Sequence, residues 1–178
     1  MILKAHVLAF IAIFIWGTTY ISIKVLLTAF SPTEILFFRF LCAYPVLFLV
    51  KPARIRYRNL KEELLFAGAG LCGVTLYMTL QNTSLLYTLA SNTGVLISVA
   101  PFLTAIFSFL LLKEEPFRGS FFIGFGVSIV GIALISFNGN FILKLNPLGD
   151  ILALSCAAVW AVYCILMKKI GALNYHVI

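Results

Sequence analysis

Along this chain, apolar positions come in long unbroken runs, separated by short clusters of charge, proline and asparagine. No charged residue interrupts Ala5 to Ile23, and none interrupts Leu64 to Leu112. These runs are apolar on every side, which fits segments whose surroundings are themselves apolar. At 1.5 Å per residue, a helix needs about 20 residues to cross a hydrocarbon layer roughly 30 Å thick. On that measure the pattern predicts six spans: Ala5 to Leu26, Thr33 to Val50, Leu64 to Leu86, Ser91 to Leu112, Gly119 to Phe137 and Ile151 to Met167. Ser31-Pro32 and Lys51-Pro52 break the chain on either side of the second. The third and fourth must be separate, because one helix from Leu64 to Leu112 would measure about 73 Å. Their turn is expected around Tyr87 to Asn92. A membrane barrel would alternate apolar and polar residues, so the predicted class is all-α, a polytopic membrane helix bundle.

Composition agrees. Of 178 residues, 62% are hydrophobic and 11% charged, and the mean hydropathy is +1.09. A soluble domain is roughly half apolar and a quarter charged, and a chain this apolar has too little polar surface to cover itself in water. The expected surroundings are the lipid bilayer. Ala5 to Ile23 is longer than a typical signal-peptide core and no small-residue cleavage site follows, so it reads as a retained first span.

The net charge of +7 raises the question of nucleic acid. The basic residues sit in short clusters between spans and form no continuous face, so no nucleic-acid partner is expected. They orient the bundle instead. Lys4, Lys51, Arg54, Arg56, Arg58, Lys61, Lys113, Arg118, Lys168 and Lys169 fall on one side, against Lys144 and Lys24 on the other. The positive-inside rule makes the basic side cytoplasmic, with the N-terminus inside an inner or plasma membrane. Cys42, Cys72, Cys156 and Cys164 lie within spans without metal or redox spacing, and His6 and His176 are far apart in the chain. Neither a metal nor another cofactor is expected.

Laying His6–Lys24 on Asp150–Lys168 matches Leu8 with Leu152, Ala9 with Ala153, Trp16 with Trp160, Ile21 with Ile165 and Lys24 with Lys168. The chain's two tryptophans thus fall in register, each followed eight residues later by lysine. Five spans separate the two starts, so the second copy enters the membrane upside down, as inverted-repeat transporters do.

Further motifs carry a family resemblance. Trp16-Gly17-Thr18-Thr19-Tyr20, Phe38-Arg39-Phe40, Ala90-Ser91-Asn92-Thr93-Gly94 with Ala100-Pro101-Phe102, Leu112-Lys113-Glu114-Glu115-Pro116, Gly124-x-Gly126 with Gly131, and Gly149-Asp150 with Trp160-Ala161 occur in that order. Together they resemble the drug/metabolite transporter superfamily, in its ten-span branch built from two EamA domains. The resemblance implies a first five-helix EamA-type repeat over residues 1–143, and the first helix of an inverted second repeat over residues 150–178. The chain stops near the start of a seventh span, and a truncated or interrupted reading frame is the expectation. The four-span relatives that work as dimers lack a sixth span and fit less well. The missing second repeat, or a homo-oligomer in its place, is the expected protein partner.

Candidate site residues follow from cost. A charge deep in the bilayer costs a few kcal/mol or more, so Arg39 is a candidate substrate contact or gate. The competing reading has its side chain reach the outer interface beside Glu34. Tyr77 and Gln81, four apart on the third span, share a helical face with Asn82 beside them. Asn92 opens the fourth span, and Trp16, Tyr20, Trp160 and Tyr163 add aromatic surface. Such a cavity suits a small amphipathic or zwitterionic solute. Otherwise the amides bond across helices and the aromatics form interfacial belts. Lys24 is expected to anchor at the interface and Glu34 to complement the helix dipole. Pro101, which leaves the Ile97 carbonyl without its helical donor, is a candidate hinge or a static kink. Gly124 and Ser128, followed by Gly131, are expected to form a close-packing surface. No carboxylate lies between Glu63 and Glu114 or between Glu115 and Asp150, which shows no coupling acid and disfavours an intramembrane enzyme. The expected function is secondary transport of small metabolites, amino-acid-like or drug-like solutes, by alternating access, with the chain inactive alone. The alternative is a non-transporting membrane scaffold.

Overall fold

The computed structural model describes residues 2–50, 59–112, 119–136 and 146–173. Among these, five helices are long and apolar enough to cross a membrane, α1 (Ile2–Leu26), α2 (Pro32–Val50), α3 (Leu60–Tyr87), α4 (Ala90–Leu112) and α6 (Pro147–Gly171), and α5 (Gly119–Ser136) is a further apolar helix between the last two. They fall on the six expected segments, and the chain is a multi-pass membrane protein. The turn between α3 and α4 falls at Thr88 and Leu89, inside the expected window. The expected end of the fifth span at Phe137, the basic clusters at 51–58 and 113–118, Lys144 and His176 lie outside the described residues.

Local chemistry fixes where helices start. Ser31 Oγ accepts from the Glu34 N–H at 3.3 Å, and Glu34 Oε2 accepts from the Ser31 N–H at 2.7 Å. This is a reciprocal capping box, with Pro32 at the first helical position where its missing N–H costs nothing. Glu34 is therefore occupied at the helix start and does not pair with Arg39. Asn59 caps α3 by accepting from the Glu62 N–H at 2.9 Å, and Asn146 caps α6 ahead of Pro147.

Helix α6 forms the centre. It packs against α3 and both halves of α4, while α1, α2 and α5 touch this core along less of their length. Gly149, Ala153, Ala157, Ala161 and Ile165 recur every fourth residue and are all buried. Small side chains on one stripe let neighbouring helices approach closely where lipid offers no hydrophobic drive. Against this stripe, α3 is π-helical over Leu71–Leu76, and Gly73 faces the Tyr163 ring. A Cβ on Gly73 would stand 2.4 Å from that ring, so only glycine admits it unmoved.

Helix α4 is interrupted. Ala90–Ile97 ends at Ser98, whose N–H donates to Gly94 and Val95, and a new helical stretch starts at Ala100. Pro101 is the second residue of that stretch, where proline is tolerated. The distortion is local to Ser98 and Val99, directly ahead of Pro101, whose missing N–H leaves the Ile97 carbonyl without its helical donor.

The close-packing surface expected on α5 does not form within the described residues. A Cβ on Gly124 or Gly131 would meet nothing within 4 Å, and the Ser128 hydroxyl donates back to the Gly124 carbonyl at 2.9 Å. Bulkier aromatics make the contact instead: Phe102 of α4 stacks on Phe125 at 4.4 Å and Phe121 at 6.1 Å between centroids.

Candidate functional site

Three helices converge on one cavity. Helix α1 supplies Trp16, Thr19 and Tyr20, α2 supplies Arg39, and α3 supplies Tyr77, Met78 and Gln81. The helical period explains the grouping, because positions three and four apart share a face. Tyr77 and Gln81 are 8% and 5% exposed, although both are polar. The Tyr20 and Tyr77 hydroxyls interact, and the Arg39 charge acts on Tyr77. The cavity is small, about 30 Å³.

An aromatic wall stands behind it. Trp160 of α6 lies 4.6 Å from Tyr77, 5.7 Å edge-on from Trp16 and 4.9 Å from Tyr163. The two tryptophans that fall in register in the sequence therefore meet in space. The Cys156 thiol donates to the Tyr77 carbonyl at 3.3 Å from the same side. Trp16 is 59% exposed, so the cavity opens outward past its ring.

The structure sorts the expected residues. Trp16, Tyr20, Arg39, Tyr77 and Gln81 line the cavity. Trp160 backs it. Tyr163 lies beyond, its ring filling the space over Gly73. Asn82 sits beside Gln81 in sequence but turns toward α2, donating to the Pro32 carbonyl at 3.2 Å. One residue along a helix is a rotation of about 100°, enough to leave the cavity face. Asn92 is at the α3–α4 corner, donating to Thr88 Oγ1 at 3.3 Å. Neither asparagine reaches the cavity. Pro101 is exposed on α4, away from it.

The side-chain partners differ sharply along the cavity wall. Among the described residues, neither the Arg39 guanidinium nor the Gln81 amide makes a hydrogen bond or ion pair within the protein. Thr19, by contrast, donates to its own helix at Ile15, 2.9 Å away. Thr19 and Met78 were not among the expected lining residues, though Thr19 belongs to the Trp16–Tyr20 motif and Met78 adjoins Tyr77.

Lys24 departs most from expectation. Its ammonium donates to the Leu85 carbonyl and, at 2.9 Å, to the Thr88 carbonyl. It is an inter-helix cap for the end of α3, where free carbonyls and the helix dipole favour a cation. Around the same corner, Thr88 Oγ1 donates to Asp150 Oδ1 at 3.1 Å, and Ser84 Oγ donates to the Gly149 carbonyl at 3.0 Å. This polar end lies about 16 Å along α3 from Tyr77 and is separate from the cavity.

Comparison with known proteins follows the same line as the architecture. Residues 3–137 match the model of the EamA-like transporter family. An uncharacterized transporter of Archaeoglobus fulgidus is 30% identical over 176 residues, covering 93% of this chain and 58% of that protein. The uncharacterized transporter YvbV of Bacillus subtilis is 32% identical over 172 residues, covering 94% and 54% respectively. One from Clostridium kluyveri is 26% identical over 177 residues, covering 93% and 56%. The chain thus spans about half the length of the curated relatives it matches. No solved structure matches it.

Proposed function

The chain belongs to the EamA-like transporter family, and from that membership we propose that it takes part in carrying small metabolites across an inner or plasma membrane by alternating access. The observation that carries this reading is the convergence of Trp16, Tyr20, Arg39, Tyr77 and Gln81 on one cavity. A guanidinium and an amide at membrane depth are costly unless something polar meets them. A scaffold gains nothing from that arrangement.

The cavity is one part of a solute site. At about 30 Å³ it accommodates water-sized groups, whereas pockets for whole small molecules run to roughly 300–1,000 Å³. The remaining wall faces the exposed side of Trp16. In an inverted-repeat carrier that wall belongs to a second five-helix unit, with residues 1–143 as the first and α6 opening the next. The basic clusters put the N-terminus in the cytoplasm. An impermeant thiol reagent on intact cells should then label a cysteine introduced at Asn140 and spare one at Asn59, in a background without native cysteines.

Reconstitution into liposomes tests the transport reading, using the chain alone and the chain fused to the portion of the Bacillus subtilis relative beyond the match. Saturable flux of a metabolite panel is expected from the fusion only. Flux from the chain alone would mean that copies complete one another. Flux from neither would remove the reading.

A further inference from the structure

The geometry points to a substrate class: a monoanionic, carboxylate-bearing solute with an apolar body, its head held by Arg39 and its body lying along α1. This rests on the cavity being the solute site and goes on to say what enters it. Arg39 is half-buried about two turns into α2 and has no acidic partner among the described residues. The nearest carboxylate in sequence, Glu34, is committed to the Ser31 cap. A guanidinium in that setting lacks a counter-charge, and a planar carboxylate is the group its fork matches. The Gln81 amide on the same wall adds a donor, and the cavity wall carries no acid to repel an anion.

Size and surroundings narrow the class. The polar space takes a head group and no more. One positive charge balances a monoanion, whereas a phosphate monoester brings a charge of about −1.5 to −2. Trp16 also borders a second, open groove with Ala9, Ala12, Ile13 and Ile15, whose lining is almost wholly apolar. Polar cavity and apolar groove meet at one indole, so a bound solute would be polar at one end and apolar at the other. A cationic amine would meet Arg39 as a like charge.

The protein carries its own probe, since Trp16 and Trp160 are its two tryptophans and they touch beside the cavity. The purified chain in lipid nanodiscs would be titrated with 3-phenylpropionate, 3-phenylpropionamide and 3-phenylpropylamine at pH 7, following tryptophan emission. Saturable change is expected with the carboxylate, and at least about tenfold weaker response to the amide and amine, as befits a charge-assisted pair. Arg39→Gln should bring the carboxylate down to the amide's level and leave the amide unchanged, which also reports that the variant is folded. Arg39→Lys should keep part of the preference. Equal affinity for the three compounds, or a carboxylate preference that survives Arg39→Gln, would overturn the anion assignment while leaving the cavity reading standing. Saturation by none of them would overturn the anion assignment, and the transport reading would then stand or fall on the liposome flux of the fusion.

Discussion

Helices α1 and α6 are built from nearly equally apolar sequence and carry tryptophans in register, yet the bundle treats them differently. In α6, 28% of the span is buried against other helices, and in α1 it is 6%. The difference is one of side-chain size and placement. Helix α6 repeats small residues every fourth position, from Gly149 to Ala161, and α3 and α4 close onto that stripe. Helix α1 presents Phe10, Ile13, Phe14 and Trp16 outward, each more than half exposed. In water, apolarity would have driven both inward. In lipid, the solvent is as apolar as the side chains, so close packing and hydrogen bonds decide which helices become the core. The tight region comprises α3, α4 and α6, and the loose one α1, α2 and α5. The cavity lies on their boundary, where Arg39 and Trp16 of the loose helices face Tyr77 and Gln81 of the tight ones.

Exchanging glycines between the two regions breaks the comparison most directly. Gly73→Leu forces side-chain atoms into the Tyr163 ring, and overpacking of this kind costs about 1–3 kcal/mol or more. Its thermal unfolding in detergent should move down by several degrees. Gly124→Leu, with open space around it, should unfold within a degree of the wild type. Equal shifts for both would mean that the tight and loose regions are not distinct.

The link between the regions comes next. Lys24→Met removes the α1 cation from the end of α3, a loss of about 1–2 kcal/mol. Hydrogen exchange should quicken at the α3–α4 corner around Tyr87 to Leu89. Lys24→Arg should retain most of the protection. Unchanged exchange in the Met variant would show that α1 does not hold the corner.

A change confined to the loose region should be smallest. Ser31→Ala deletes one arm of the capping box, worth about 1 kcal/mol. Exchange should rise at the first turn of α2, around Thr33 to Ile35, while residues of α6 keep their protection. Loss of protection along α6 would show that the two regions unfold together.

Much of this was legible from residue order. The spans followed from run length, because a bilayer fixes how many apolar residues a helix needs. The turn at Thr88 and Leu89 was required once 64–112 proved too long for one helix. Tyr77 and Gln81 were grouped by helical period, and the tryptophan register anticipated a relation that the structure turns into a ring contact. Asn82 shows the limit: its neighbour's face is known, but not which helix lies opposite its own. Lys24 shows it again, since the carbonyls it caps are more than sixty residues away.

The sequence by itself determined that this is a multi-pass helical membrane protein, which stretches its apolar spans occupy, and which polar residues would be costly at depth. These are consequences of composition and run length, each settled within one helix and its solvent. Only the tertiary structure decided that α6 is the centre, that Gly73 admits Tyr163 while Gly124 admits nothing, and that Lys24 serves another helix. It also decided that Arg39 faces the cavity with Glu34 turned away to Ser31. The reason is physical: in lipid every helix is apolar enough to face outward, so the choice of neighbours rests on complementary shapes and hydrogen bonds between distant segments. A single segment's pattern does not contain its partner's surface.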